Sequence, residues 1–209
     1  GNLPPPSPDA PSPPADRYLE GQCHYLDSRG FPVYRDTAAE YFSDCRAGWQ
    51  RLMEDLRAAE RFIFMEYFII EEGKFWNSIL EILKEKAAAG VEIKVLYDDV
   101  GCMMTLPGNY DRILRGYGIE AVPFSKLKGN ADSEFNNRSH RKITVIDGKV
   151  GYTGGINIAA EYINEIVKHG HWKDVGLRLE GEAVKELTRL FLTDYCINVR
   201  KVPEAKHDY

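Results

Sequence analysis

The sequence predicts an α/β fold: a mixed, mostly parallel sheet with helices on both of its faces. Three observations carry that prediction. Short apolar runs recur at 61–70, 91–97 and 119–124, and runs of that length and composition are strands buried on both sides. The segments between them repeat apolar residues at three and four, the helical period. Strand and helix alternate along the chain, an order that lays helices on a sheet.

Residues 1–17 carry seven of the chain's eleven prolines, a composition that favours an extended, solvated linker. The domain is expected over 18–209. Alternation from Gln22 to Tyr34 around Ser28-Arg29-Gly30 predicts a short hairpin. From Ala38 to Ala59, the spacing of Tyr41, Phe42, Cys45, Trp49, Leu52, Met53 and Leu56 predicts one helix. Arg61 to Ile70 reads as a buried strand. Phe75 to Ala89 reads as a helix stopped by Gly90, and Val91 to Tyr97 as a second strand. Pro107 to Arg115 is punctuated as a helix, with proline in its first turn and glycine after its last. Ile119 to Phe124 is a third strand, and 125–138 is polar and irregular. Strands at 141–146 and 149–153 follow, then a short helix from Ile158, a strand from Trp172 to Leu179 and a closing helix over 183–199.

Composition excludes several classes. With 44% hydrophobic and 28% charged residues, the chain is neither disordered nor collagen-like. A net charge of -5 makes it a poor general polyanion binder, so phosphate chemistry must come from a local site. Cys23, Cys45, Cys102 and Cys196 form no CxxC pair and are expected to be reduced. The longest apolar stretch, Phe62 to Ile70, is interrupted by Glu66 and is far shorter than the roughly 20 residues of a membrane span. These residues are therefore expected to be soluble.

The stretch SHRKITVIDGKVGYTGGIN, residues 139–157, holds the chemistry. His140, Lys142 and Asp147 form HxK followed by Asp after four residues; in a chain of this composition chance supplies roughly 0.02 such matches. On a strand, residues two apart face one side, about 6.6–6.8 Å from each other. His140 and Lys142 therefore point together while Ile143 and Val145 enter the core. An imidazole can attack phosphorus, and an ammonium beside it can neutralise the phosphoryl oxygens. Asp147 has the opposite parity, and Asp147-Gly148 is a hairpin turn signal, so by itself it reads as a turn residue. Gly154-Gly155-Ile156-Asn157 follows the next strand; the glycines and a helix N-terminus would favour an anion, with Asn157 as both N-cap and phosphate ligand.

These residues resemble the HKD motif of the phospholipase D superfamily. NNRSHRKITVIDGKVGYTGGINIAAEY is similar to the first HKD motif of bacterial cardiolipin synthases. FIFMEYFII with Glu66, KAAAGVEIKVLYDDVG and HWKDVGLRLEG agree with that family. The resemblance covers residues 18 to about 200. It implies a phospholipase D-like half and a phosphatidyltransferase that works through a phosphohistidine, resolved by an alcohol or water. In that reading His140, Lys142 and Asp147 are the catalytic set, Asn157, Gly154 and Gly155 bind phosphate, and no cofactor is needed. The substrate is a phosphatidylglycerol-like phospholipid at a bacterial cell membrane, and the membrane-inserted segments would lie outside these residues.

One departure matters. The family uses two HKD motifs whose histidines meet across a cleft, and this sequence has one. His24, His169, His171 and His207 lack the pattern; His171 has Lys173, but residue 178 is Arg. The implied partner is a C-terminal half of the same enzyme or a second copy. The resemblance also implies that Asp174 orients His140 by accepting its other ring N–H, which would fix the tautomer. Glu66, alone in an apolar strand, needs a partner and is the other candidate orienting residue. Asp98 and Asp99 sit past a strand's carboxyl end, where α/β folds bind ligands, but no third carboxylate or histidine clusters with them, and no metal is expected. Lys126, Lys128, Arg138 and Arg141 are candidate contacts for anionic headgroups. Two other functions stay open: a single-motif nuclease completed by homodimerisation, which the acidic net charge disfavours, and a non-catalytic phosphate-binding fragment.

Overall fold

A computed structural model describes residues 17–124, 139–168, 170–200, 202 and 204–209. It contains α1 (Arg17–Ser28), β1 (Thr37–Phe42), α2 (Cys45–Ala58), β2 (Phe62–Tyr67), α3 (Lys74–Ala88), β3 (Glu92–Asp98), α4 (Tyr110–Gly116), β4 (Glu120–Phe124), β5 (Ile143–Ile146), β6 (Val150–Gly154), a 3₁₀ turn (Ala160–Ile163), β7 (Gly176–Gly181) and α5 (Val184–Val199). The strands form one seven-stranded sheet in the order β1-β7-β6-β5-β2-β3-β4.

The α/β class, the mixed sheet and the helices on both faces stand as expected, but the balance of directions does not. Only β2–β3 and β3–β4 are parallel; the other four pairings are antiparallel. The Asp147-Gly148 turn folds β6 back on β5, β7 follows antiparallel on β6, and β1, from the start of the domain, adds antiparallel at the edge.

Two further expectations are corrected. Residues 17–28 form a helix, not half of a hairpin. Gly30 (φ 83°) stops it: the amides of Arg29 and Phe31 return to the Leu26 carbonyl, and that of Gly30 to Asp27, the left-handed glycine cap of a helix C-terminus. The single helix over 38–59 is a strand and a helix. Asp44 divides them: its side chain accepts from the Arg46 amide (2.9 Å) and caps α2, while Thr37–Phe42 pairs with β7 at the sheet edge.

β2 is buried at all six positions because both faces are covered. Ile63, Met65 and Tyr67 pack toward α2 and α3; Phe62 and Phe64 pack toward α5, with Phe191 and Tyr195. Each such fully buried large side chain contributes about 1.5–3 kcal/mol. A buried bidentate pair, Arg178 on Asp55 (2.6 and 3.2 Å), ties α2 to β7. Strand directions bring the C-terminal ends of β2, β3 and β6 and the N-terminal ends of β5 and β7 to one end of the sheet. The four cysteines are unpaired, and no helix among the described residues is long and apolar enough to cross a membrane.

Candidate active site

His140 and Lys142 lead into β5 at that end of the sheet. Extending the ladder one residue beyond Ile143 puts Lys142 between Tyr67 of β2 and Gly154 of β6. The pair faces the α2–α3 side, while Ile143 and Val145 face α5, as the alternation requires. Lys142 is buried and His140 exposed. Lys142 Nζ lies 2.7 Å from His140 Nδ1, 3.3 Å from Nε2 and 2.7 Å from the His140 carbonyl oxygen. An ammonium has only donors, so a bond to Nδ1 requires the neutral imidazole with its proton on Nε2. The ring also packs on Phe68, with centroids 4.6 Å apart.

Electrostatics agrees with that state. Desolvation, then the Lys142 charge, lowers the His140 pKa from its ordinary value, with Asp98 opposing. Burial pulls Lys142 down to about 8, with Asp174 opposing. At neutral pH the site therefore pairs a neutral imidazole with an ammonium. Lys142 also borders a small pocket, about 50 Å³, lined by Trp49, Tyr67, Phe75 and Thr153 among others.

The structure uses the other candidates in different ways. Asp147 is at the far end of the strand. It adopts φ 55° beside Gly148 at 68°, the conformation of a type I′ turn. Its carboxylate accepts the amides of Glu60 (2.9 Å), Arg61 (2.7 Å) and Phe62 (2.9 Å), so it anchors the entry to β2. Asn157 is not a helix cap, because the expected helix is only the 3₁₀ turn, whose cap is Ala159. Its Oδ1 accepts from the Ile69 amide (3.1 Å) and its Nδ2 donates to the Tyr162 hydroxyl (2.8 Å). That places it beside the Phe68–Ile69 segment on which His140 packs. Gly155 gives its amide to the Val175 carbonyl (3.1 Å) and not to the site. The two glycines matter sterically: a Cβ would lie 2.3 Å from Val175 O at Gly154 (φ 152°) and 2.1 Å from Asp174 Oδ1 at Gly155.

Asp174 is thus at the site, but its described partners are the Val175 amide and, at 3.5 Å, the Trp172 indole. Its influence falls on Lys142. Glu66 lies on the opposite face, where Ser139 Oγ donates to its Oε1 (2.6 Å). Asp98 is buried and caps its own loop by accepting the amides of Val100 (3.0 Å) and Gly101 (2.6 Å), and no metal-binding cluster occurs among the described residues. Arg141 is paired with Asp194; Lys126, Lys128 and Arg138 lie outside the described residues. Sequence reasoning missed Phe68, Ser139 and Asp194. Ser139 had a signal, its direct contiguity with the motif; the other two had none.

Comparison with known proteins gives concordant findings. The family model described as "Cardiolipin synthase, PLD-like domain" matches residues 52–192. A Streptococcus mutans protein carrying no functional description is 46% identical over 165 residues, 79% of this chain and 36% of that protein. A Staphylococcus aureus cardiolipin synthase is 37% identical over 171 residues, 77% of this chain and 32% of that protein. The chain thus spans about a third of the length of these relatives. NucT from Helicobacter pylori superposes with TM-score 0.58 at 14% identity, covering 79% of this chain and 98% of that one, a likeness of fold.

Proposed function

We propose a function from one premise: this chain belongs to the phospholipase D-like domain family of the cardiolipin synthases, whose model matches it over residues 52–192. The proposed activity is phosphatidyl transfer. The carrying observation is the contact between a neutral, exposed His140 and a buried ammonium at Lys142. The substrate phosphodiester takes the ammonium's hydrogen bonds, which frees an imidazole lone pair to attack phosphorus. A P–N bond forms as the P–O bond to the leaving alcohol breaks. Lys142 stabilises the charge gathering on the phosphoryl oxygens. Water or an acceptor alcohol then attacks phosphorus and releases His140.

The leaving alkoxide needs a proton. A positioned acid is typically worth 10² to 10⁴ in rate, and we assign it to a second HKD motif outside these residues or to a second copy. These residues alone should therefore turn over phospholipid slowly or not at all. Exposed Met103, Met104, Ile166, Val167 and Val175 lie on loops leaving the same end of the sheet, which suits a covering partner. The phospholipid class proposed is phosphatidylglycerol-like, and attachment to a bacterial cell membrane is assigned to segments outside these residues.

The test uses a p-nitrophenyl phosphodiester, whose leaving group needs no acid. The expected result is a burst of up to one equivalent of p-nitrophenolate and an acid-labile adduct mapped to His140, both absent in His140→Ala. Competition by short-chain phosphatidylglycerol and not by single-stranded DNA supports the lipid reading; the reverse supports the nuclease. No adduct at His140 overturns the mechanism.

A further inference from the structure

His140 is held from both sides by a cluster on the opposite face of the sheet. Its neighbour Ser139 donates to Oε1 of Glu66 (2.6 Å). Its other neighbour, Arg141, is paired with Asp194 of α5. Glu66 is 1% exposed, and its Oε2 is buried without a hydrogen-bond partner among the described residues. An ionised carboxylate so placed is disfavoured. Among the described residues, few groups face it. Leu96 of β3 and Ile143 of β5 flank it in register, Ser139 donates to it from the β5 side, and the charges of Arg141 and of Asp194 on α5 act on it. Lys94, further along β3, is occupied by Glu92 and Glu120.

We propose that Glu66, held as a neutral carboxyl by its burial, and Asp194, ion-paired with Arg141, grip the two neighbours of His140 and so act as positioning residues for the nucleophile between them. The inference rests on His140 being that nucleophile. Because Ser139 donates to Oε1, the proton sits on Oε2 and spares the buried site a net charge. Burial first, then the charge of Asp194, raise Glu66 from 4.5 to about 7, opposed by the Ser139 bond and by Arg141. The sign follows: between about 4.5 and 7 the folded chain binds this proton more tightly than the unfolded one, so wild type loses stability as pH rises through that window. Glu66→Gln supplies a neutral donor and has no such loss.

Two measurements on the chain test this. Melting temperature is followed from pH 4.5 to 8.5 for wild type and Glu66→Gln; the expected difference moves in favour of the variant as pH rises. His140 is followed by its Hε1 titration and by the burst rate with a p-nitrophenyl phosphodiester. Glu66→Gln should leave both near wild type. Glu66→Ala and Asp194→Ala should shift the titration and slow the burst roughly 10- to 100-fold, the effect of a small misplacement, at unchanged sulfate affinity. A folded Glu66→Ala with wild-type titration and burst overturns the proposal, and so does a Glu66→Gln that loses ground as pH rises. If Glu66→Ala does not fold, the pH dependence of Glu66→Gln decides. If no variant, wild type included, shows a burst, the function fails while the His140 titration still reports on the clasp.

Discussion

Replacing Asp147 should damage the fold and spare the chemistry. Its carboxylate accepts three backbone amides, of Glu60, Arg61 and Phe62, at 2.7–2.9 Å. In Asp147→Ala the Arg61 and Phe62 amides, both partly buried, lose their acceptor at about 1–3 kcal/mol each. Alanine must also take φ 55° with no side-chain bond to offset it, a further 1–2 kcal/mol or so. The sum is about 3–8 kcal/mol, a drop of roughly 10–25 °C in melting temperature for a chain of this size. Asp147→Asn should lose only about 1 kcal/mol. Its Oδ1 still serves Arg61 and Phe62, its conformation is tolerated, and only the exposed Glu60 amide is unpaired. The assay is thermal and urea unfolding beside the stoichiometry of His140 adduct per folded molecule. Loss of the adduct at unchanged stability would refute the reasoning and return Asp147 to the chemistry.

Two other expectations follow from the site. Lys142 titrates near 8, and anion binding needs its charge, so sulfate affinity measured calorimetrically should hold below pH 7 and fall as pH rises through about 8. Lys142→Met should bind weakly at every pH, and equal wild-type affinity at pH 7 and 9.5 would count against the assignment. Gly155→Ala should push Asp174 aside, because the new Cβ would stand 2.1 Å from its Oδ1. Since Asp174 supports the Lys142 charge, that variant and Asp174→Asn should both move the sulfate-binding midpoint to lower pH; an unmoved midpoint in both would sever the link.

Much of the fold was legible because local signals were consistent. The apolar runs of β2, β3 and β4, the glycine after α3 and the Asp-Gly turn each specify one structure. The failures have physical causes. Ser28-Arg29-Gly30 suits a hairpin turn or a helix cap equally, and the Phe31 amide's bond back to the Leu26 carbonyl decides for the cap. Residues 38–59 carry apolar side chains at helical spacing across a strand–helix junction, and the periodicity hid the Asp44 cap. At the site, His140 and Lys142 were visible because their two-residue spacing is itself a geometry. Asn157 was visible as a residue but not in its tie to the segment after β2, since its partners Ile69 and Tyr162 lie on either side of it in space, and the helix it was expected to cap is a 3₁₀ turn capped by Ala159. Phe68 and Asp194 were invisible, because a ring under a histidine and an acid on the last helix are set by tertiary packing.

The seven-residue reach of the motif has its own logic. At ~3.3 Å per residue, His140 and Asp147 stand roughly 23 Å apart on an extended chain, so they cannot share one phosphate. They are linked through β2 instead. Asp147 fixes the start of that strand at Phe62, and His140 packs on Phe68 just past its end. The turn thus sets the register of β5 on β2 from one end while the chemistry is placed at the other. A slip of one residue would carry Lys142 to the opposite face of the sheet, away from Tyr67 and Gly154 and into the apolar layer under α5. In the proposed mechanism the aspartate therefore belongs to the motif for where it puts the other two residues, and its distance from the proposed phosphate site is what lets it do so.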